Sequence, residues 1–139
     1  MAQTEAFVGS TIPAIPLRLW SVDEYHCMIE AGILTTDDKV ELLEGKIIQM
    51  SPQNPPHAST TQWAGNYLTR LLGDRAFIRN PLPITIRPNS EPEPDIAVVQ
   101  VDRRAYFNHH PAPDEVFLLI EIADSTLRFS ALRCGACPP

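Results

Sequence analysis

Two carboxylates stand where chemistry could be done. In the run 116–122, Val116, Leu118, Ile120 and Ile122 share one face of a strand, and Phe117, Leu119 and Glu121 share the other. Glu121 therefore leaves a face that is otherwise apolar. Acids are rarely buried without a partner, and burying an unpaired carboxylate is costly. Either Glu121 reaches solvent or an arginine from a strand edge, or it serves as a metal ligand or general base. Asp95 follows Pro94 at the start of a second apolar run, on the face of Ala97 and Val99. Alone it reads equally as a turn or strand-start aspartate. If the two strands are sheet neighbours, both carboxylates meet at one end of the sheet. Two hard oxygen ligands side by side suit Mg²⁺ or Mn²⁺. Such an ion polarises a phosphoryl oxygen and acidifies a bound water, as phosphodiester hydrolysis requires.

Other polar groups carry less. Cys134 and Cys137 have the spacing of half a zinc site or a redox pair, but no second cysteine pair exists and Pro138 and Pro139 follow at once. His109 and His110 read as a polar loop pair. Arg70, Arg75, Arg79 and Arg87 form either a phosphate-facing patch or scattered surface charge.

The elements that must position these groups fit one domain of 139 residues, 44% apolar and 20% charged. The formal charge is −6, with nine arginines and two lysines, so there is no general electrostatic pull on phosphate backbones. Nucleic-acid binding would need a local basic patch or a bound cation. No signal peptide or membrane-spanning run is visible, and a cytoplasmic location with reduced thiols is expected. Residues 1–16 show no period and read as an arm. Ser21 and Glu24 form a capping box opening a helix to about Glu30, stopped by Gly32. A hairpin spans 40–50 around Glu44-Gly45, and a proline-rich linker covers 51–56. Ala64, Tyr67, Leu68 and Leu71 give 57–72 a helical period that ends at Gly73. Short strands are expected at 76–79, 83–87 and 95–99, a loop over 101–113, and a central strand at 116–122. The fold class is mixed α/β, with helices packed on a curved sheet.

The ordered set Val40-Glu41-Leu42-Leu43-Glu44-Gly45, Met50-Ser51-Pro52, His57, Pro94-Asp95-Ile96-Ala97-Val98-Val99, Ile120-Glu121-Ile122 and Asp124-Ser125-Thr126-Leu127-Arg128 resembles the Uma2 family of restriction-type endonucleases. The resemblance covers about 17–128. It implies a PD-(D/E)XK restriction-endonuclease-like fold, a mixed β-sheet flanked by helices. It also implies Mg²⁺ or Mn²⁺ as cofactor and nucleic acid, DNA foremost, as partner; no membrane is involved, and a homodimer is compatible with it. By motif position Asp95 is the aspartate of the Pro-Asp element and Glu121 the acid of the second strand, both catalytic and both metal ligands. Glu41 and His57 fall on recurrent positions as accessory candidates, without a firm role. One departure matters. Ala123 stands two residues after Glu121, where the generic motif has lysine, and no lysine follows Lys46. The family pattern moves that lysine to a later helix that leads into an aromatic-rich strand. The tail 129–139 shows neither helical period nor strand alternation, so the last helix and strand are expected to be missing. Two readings follow: a metal-dependent endonuclease domain, or a truncated, catalytically inactive remnant that at most binds nucleic acid or a protein partner.

Overall fold

The computed structural model describes residues 15–123. The arm up to residue 14, the motif 124–128, and the tail with Cys134 and Cys137 lie outside the described residues. Helix α1 is Val22–Glu30. Ser21 Oγ accepts from Glu24 N at 3.2 Å and Glu24 Oε2 accepts from Ser21 N at 2.9 Å, so both members of the capping box are engaged. Val22 and Tyr25 turn inward onto a hairpin of β1, Val40–Leu43, and β2, Lys46–Gln49. There, with Leu42, they form one small core edged by Trp20, Leu34, Val40 and Ile47.

The hairpin turn is Glu44-Gly45 with φ of 48° and 77°, both positive, which is the geometry of a two-residue hairpin. Gly45 is required twice over. A Cβ there would lie 2.7 Å from Leu19 Cβ, and the Gly45 carbonyl accepts Trp20 N at 2.8 Å, holding that chain against it.

Helix α2, Pro55–Leu72, begins with prolines in its first turn, where a missing N–H costs nothing. Asn54 caps it by accepting His57 N at 3.0 Å. Gly73 ends it, and a 3₁₀ turn leads into β3, Phe77–Arg79. Strands β4, Ile96–Val99, and β5, Val116–Ile120, complete a second sheet in the order β3-β4-β5. Every strand pairing among the described residues is antiparallel. Among the described residues, the strand expected to be central, 116–122, is an end strand of the sheet, β5. Phe117, Leu118 and Leu119 of β5 are exposed, whereas all four residues of β4 are buried between its two neighbours. Ile84, Ala97, Val99 and Tyr106 form the second core, with Phe77 and Val116 against it.

The 83–87 segment forms no regular strand. It folds back on itself, with Ile84 N bonded to Pro92 O at 3.0 Å and Ile86 exchanging backbone bonds with Ser90. Glu91 N then bonds Leu42 O at 2.7 Å, and Gly45 N bonds Asn89 O at 2.7 Å. This doubled arm ties the hairpin to the larger sheet. The 101–113 loop is present and closes in a 3₁₀ turn at Pro113–Glu115. Among the described residues, no helix is long and apolar enough to cross a membrane.

Candidate functional site

Asp95 sits one residue before β4, behind Pro94, and only 7% of it is exposed. Its carboxylate is held from two directions. Oδ1 lies 2.8 Å from His57 Nε2 and 3.4 Å from Gln53 Nε2, and Oδ2 accepts Ile122 N at 2.7 Å. An ionised carboxylate only accepts hydrogen bonds, so Nε2 carries the hydrogen toward it. The proline-started first turn of α2 fixes His57, because the Asn54 cap holds its backbone while the ring reaches the sheet.

The β4–β5 ladder pairs Ile96 with Ile120. Asp95 and Glu121 are the next residues beyond that last pair, and the bond from Ile122 N to Asp95 Oδ2 ties the two segments together there; the same register continued one step would set the two acids opposite each other on one face. Directly opposed residues in an antiparallel pair have Cβ atoms about 4.5–5.5 Å apart. Glu121 is exposed while Asp95 is buried, so the pair presents one fixed acid and one facing solvent.

Glu41 lies elsewhere in the chain but joins the same region. It is 6% exposed on β1, and its Oε2 accepts Glu93 N at 3.1 Å, two residues before Asp95. Glu91, 4% exposed, takes His26 Nε2 at 2.9 and 2.8 Å on its two oxygens and Thr85 Oγ1 at 2.7 Å. Burial holds the Glu93 carboxyl above its ordinary range, repulsion from Glu41 adds to this, and Lys39 opposes it. Burial also raises the Tyr25 phenol, helped by the charges of Glu91, Glu93 and Glu41.

Glu91, Glu93, His26 and Gln53 were not among the candidates drawn from the sequence. A signal for two of them was there: Glu91, Glu93 and Asp95 alternate with Pro92 and Pro94, a period of two that sets three acids on one face of an extended segment. His26 and Gln53 carried no such signal.

Among the described residues, no three His, Cys, Asp or Glu side chains converge as an ion cage. The donor set nonetheless fits a hard cation. Mg²⁺ is commonly held by one or two carboxylates and completes its shell with water and substrate phosphate oxygens. Asp95 and Glu121 are such a pair, in a neighbourhood with an excess of negative charge.

A family model, Uma2, described as "putative restriction endonuclease", matches residues 22–133, most of the chain. No curated protein and no solved structure matches it significantly.

Proposed function

The chain belongs to the Uma2 family, and on that premise we propose that it is a metal-dependent endonuclease domain hydrolysing phosphodiester bonds of nucleic acid, with DNA as the principal substrate. Its mixed α/β architecture, with two α-helices and two small antiparallel sheets among the described residues, accords with a restriction-endonuclease-like fold. One observation carries the functional reading: a buried aspartate, pinned at both oxygens, stands just before β4 and takes Ile122 N of the segment that follows β5, next in sequence to the exposed Glu121.

In this reading Asp95 and Glu121 hold Mg²⁺ or Mn²⁺. When bound, the ion supplies Lewis-acid polarisation of a phosphoryl oxygen and offsets the repulsion between the two acids. The remaining work belongs to the chain. His57 and Ile122 N fix the rotamer of Asp95, so the carboxylate needs no reordering when a ligand arrives. Glu41 is a positioning residue, since its bond to Glu93 N anchors the backbone two residues before Asp95. Glu121 meets the phosphodiester on the solvent side. The same reading places the protein in the cytoplasm, where an exposed thiol such as Cys27 stays reduced.

The test is plasmid DNA incubated with Mg²⁺ or Mn²⁺. Nicking or linearisation is expected, with a loss of roughly 10²-fold or more in rate for Asp95→Ala and for Glu121→Ala. Cleavage that survives both substitutions would remove these acids from the mechanism.

A second reading, nucleic-acid binding without cleavage, has one observation in its favour. The generic motif puts a lysine two residues after the second acid, where this chain has Ala123, and the lysines among the described residues are Lys39 and Lys46. Lys39 is near enough to Glu93 to oppose its raised pKa. Cleavage lost on Lys39→Ala would give that residue the stabilising charge. An uncut plasmid that is still bound would favour the second reading.

A further inference from the structure

The molecule has a second concave surface away from Asp95: a cleft of about 620 Å³ between α1 and the 102–113 loop, whose walls include His26, Arg87, Tyr106, Phe107, His109 and His110. That volume lies within the usual range for small-molecule sites. From its geometry and chemistry we propose that the cleft is a subsite for an unpaired nucleotide of a nucleic-acid strand, with the base stacked on Phe107 and a phosphate met by Arg87 and His109. The inference rests on the nucleic-acid reading above but not on its ion site.

The loop is built to present these groups. Ala105 and Tyr106 both lie in the left-handed region, at φ 50° and 58°, and neither is glycine. Strain of this kind persists only where the surroundings impose it, and it gathers at binding sites. Here Asp102 Oδ1 accepts Arg104 N at 2.8 Å and Tyr106 N at 2.9 Å, and Tyr106 Oη donates to Gln100 O at 2.8 Å. These bonds bury Tyr106 and leave Phe107 79% exposed. Arg104 stands 5.3 Å from the centre of the Phe107 ring on one side, and the ring's other face can take a base. An aromatic platform of this kind accepts any base, since every base has a π-face.

Cationic groups lie at the cleft although the whole chain is acidic: Arg87 lines it, Arg104 stands over the Phe107 ring and Arg79 over that of Tyr106. Among the described residues, Arg79, Arg103 and Arg104 make no ion pair. Arg79 stands behind His110, with a terminal nitrogen 3.5 Å from Nδ1, and its Nε is buried without a hydrogen-bond partner. Among the described residues Arg87 is paired with Asp23, both well exposed, an ion pair weak enough to be exchanged for phosphate. Burial holds His110 below its ordinary pKa, leaving a neutral ring able to hydrogen-bond a base edge. Two acids bonded to residues of the cleft wall lie next to it: Glu91 holds His26 and Thr85, and Glu115 meets the exposed His109 at 3.4 Å, a pair weak enough to be exchanged for phosphate. From Glu91 to Asp95 the chain covers at most roughly 13 Å, four residues of extended backbone. A single strand could therefore touch both the cleft and the acid pair.

Fluorescence anisotropy in EDTA tests this, with a labelled, 5′-phosphorylated octathymidylate as probe. The Phe107→Ala variant should weaken binding at least about fivefold, the low end for loss of one stacked base. Arg87→Ala with His109→Ala should lower the slope of log affinity against log salt by about one. Arg70→Ala, which removes an exposed charge on α2, should change neither. Unaltered urea unfolding would show that the exposed positions Phe107 and Arg87 were replaced without loss of fold. Wild-type protein that ignores the octamer, or cleft variants that bind it within twofold of wild type, would overturn the proposal. So would a blunt duplex binding as tightly as the octamer, or thymidine monophosphate doing so, the latter assigning the cleft to a free nucleotide. The assay contains no divalent ion. If Asp95→Ala and Glu121→Ala spare plasmid cleavage while the cleft variants lose the octamer, the ion-site reading falls and this one stands.

Discussion

Replacing His57 by alanine should loosen Asp95 and cost stability by an amount the structure sets. The pair is 2.8 Å apart, with side chains 15% and 10% exposed, so water repays little of the lost bond. A hydrogen bond to a charged group contributes about 1.5–3 kcal/mol. The lower half of that range is expected, because Ile122 N remains on the other carboxylate oxygen. For a domain of this size, 1.5–2 kcal/mol corresponds to a fall in Tm of about 5–8 °C. A double-mutant cycle in urea with His57→Ala, Asp95→Ala and the double variant separates this bond from loss of ring packing. Coupling of about 1 kcal/mol or more is expected for a direct pair. If His57→Ala cost the same with and without Asp95, the imidazole would be packing on the sheet and not orienting the acid.

Glu93 sets a pH dependence. Its folded pKa is raised above the ordinary 4.5, so the folded state binds more protons and stability should fall as pH rises from near 4.5 through the raised value. Urea unfolding across that window should show the decline flattened in Glu93→Gln; an unchanged slope would remove Glu93 as its source. Gly45→Ala should cost about 1–3 kcal/mol, since positive φ and the contact with Leu19 both oppose a side chain, and calorimetry showing no loss would mean the turn rearranges freely. Leu42→Ala, at a fully buried position in the hairpin core, should cost about 2–5 kcal/mol by the same measurement.

What could be read from the sequence was local. The Ser21–Glu24 capping box and the Glu44-Gly45 turn each depend on residues a few positions apart, and each lies where its chemistry requires; α2 starts at Pro55, inside the stretch expected to be linker, because proline suits a first helical turn. The inner face of α2 was not legible in the same way. Tyr67 and Leu71 match the helical period but are exposed, while Thr61 and Gly65 are buried. The reason is close backbone approach: a Cβ on Gly65 would meet Asn80 Nδ2 at 2.1 Å, so α2 rests on a glycine and not on an apolar stripe. Strand β5 is apolar on both faces yet ends the sheet among the described residues, and nothing in its own residues distinguishes that from a central strand. The site was legible as residue types and not as register. Asp95 and Glu121 could be named, but the nearness of their segments comes from the Ile96–Ile120 pairing, a long-range fact. The arm that carries Glu91 and Glu93 was obscured because 83–87 resembles a strand, and only its fold-back onto Ser90 shows what it does.

The most direct test is the melting temperature of the protein, with and without Mn²⁺, in wild type and in the Asp95→Ala, Glu121→Ala double variant. An ion bound only by the folded state at about a hundred times its Kd stabilises by about 2.7 kcal/mol, roughly 8–11 °C here. The account predicts that rise in wild type and none in the double variant. No rise in wild type, or an equal rise in both, would mean that these two carboxylates do not hold the ion.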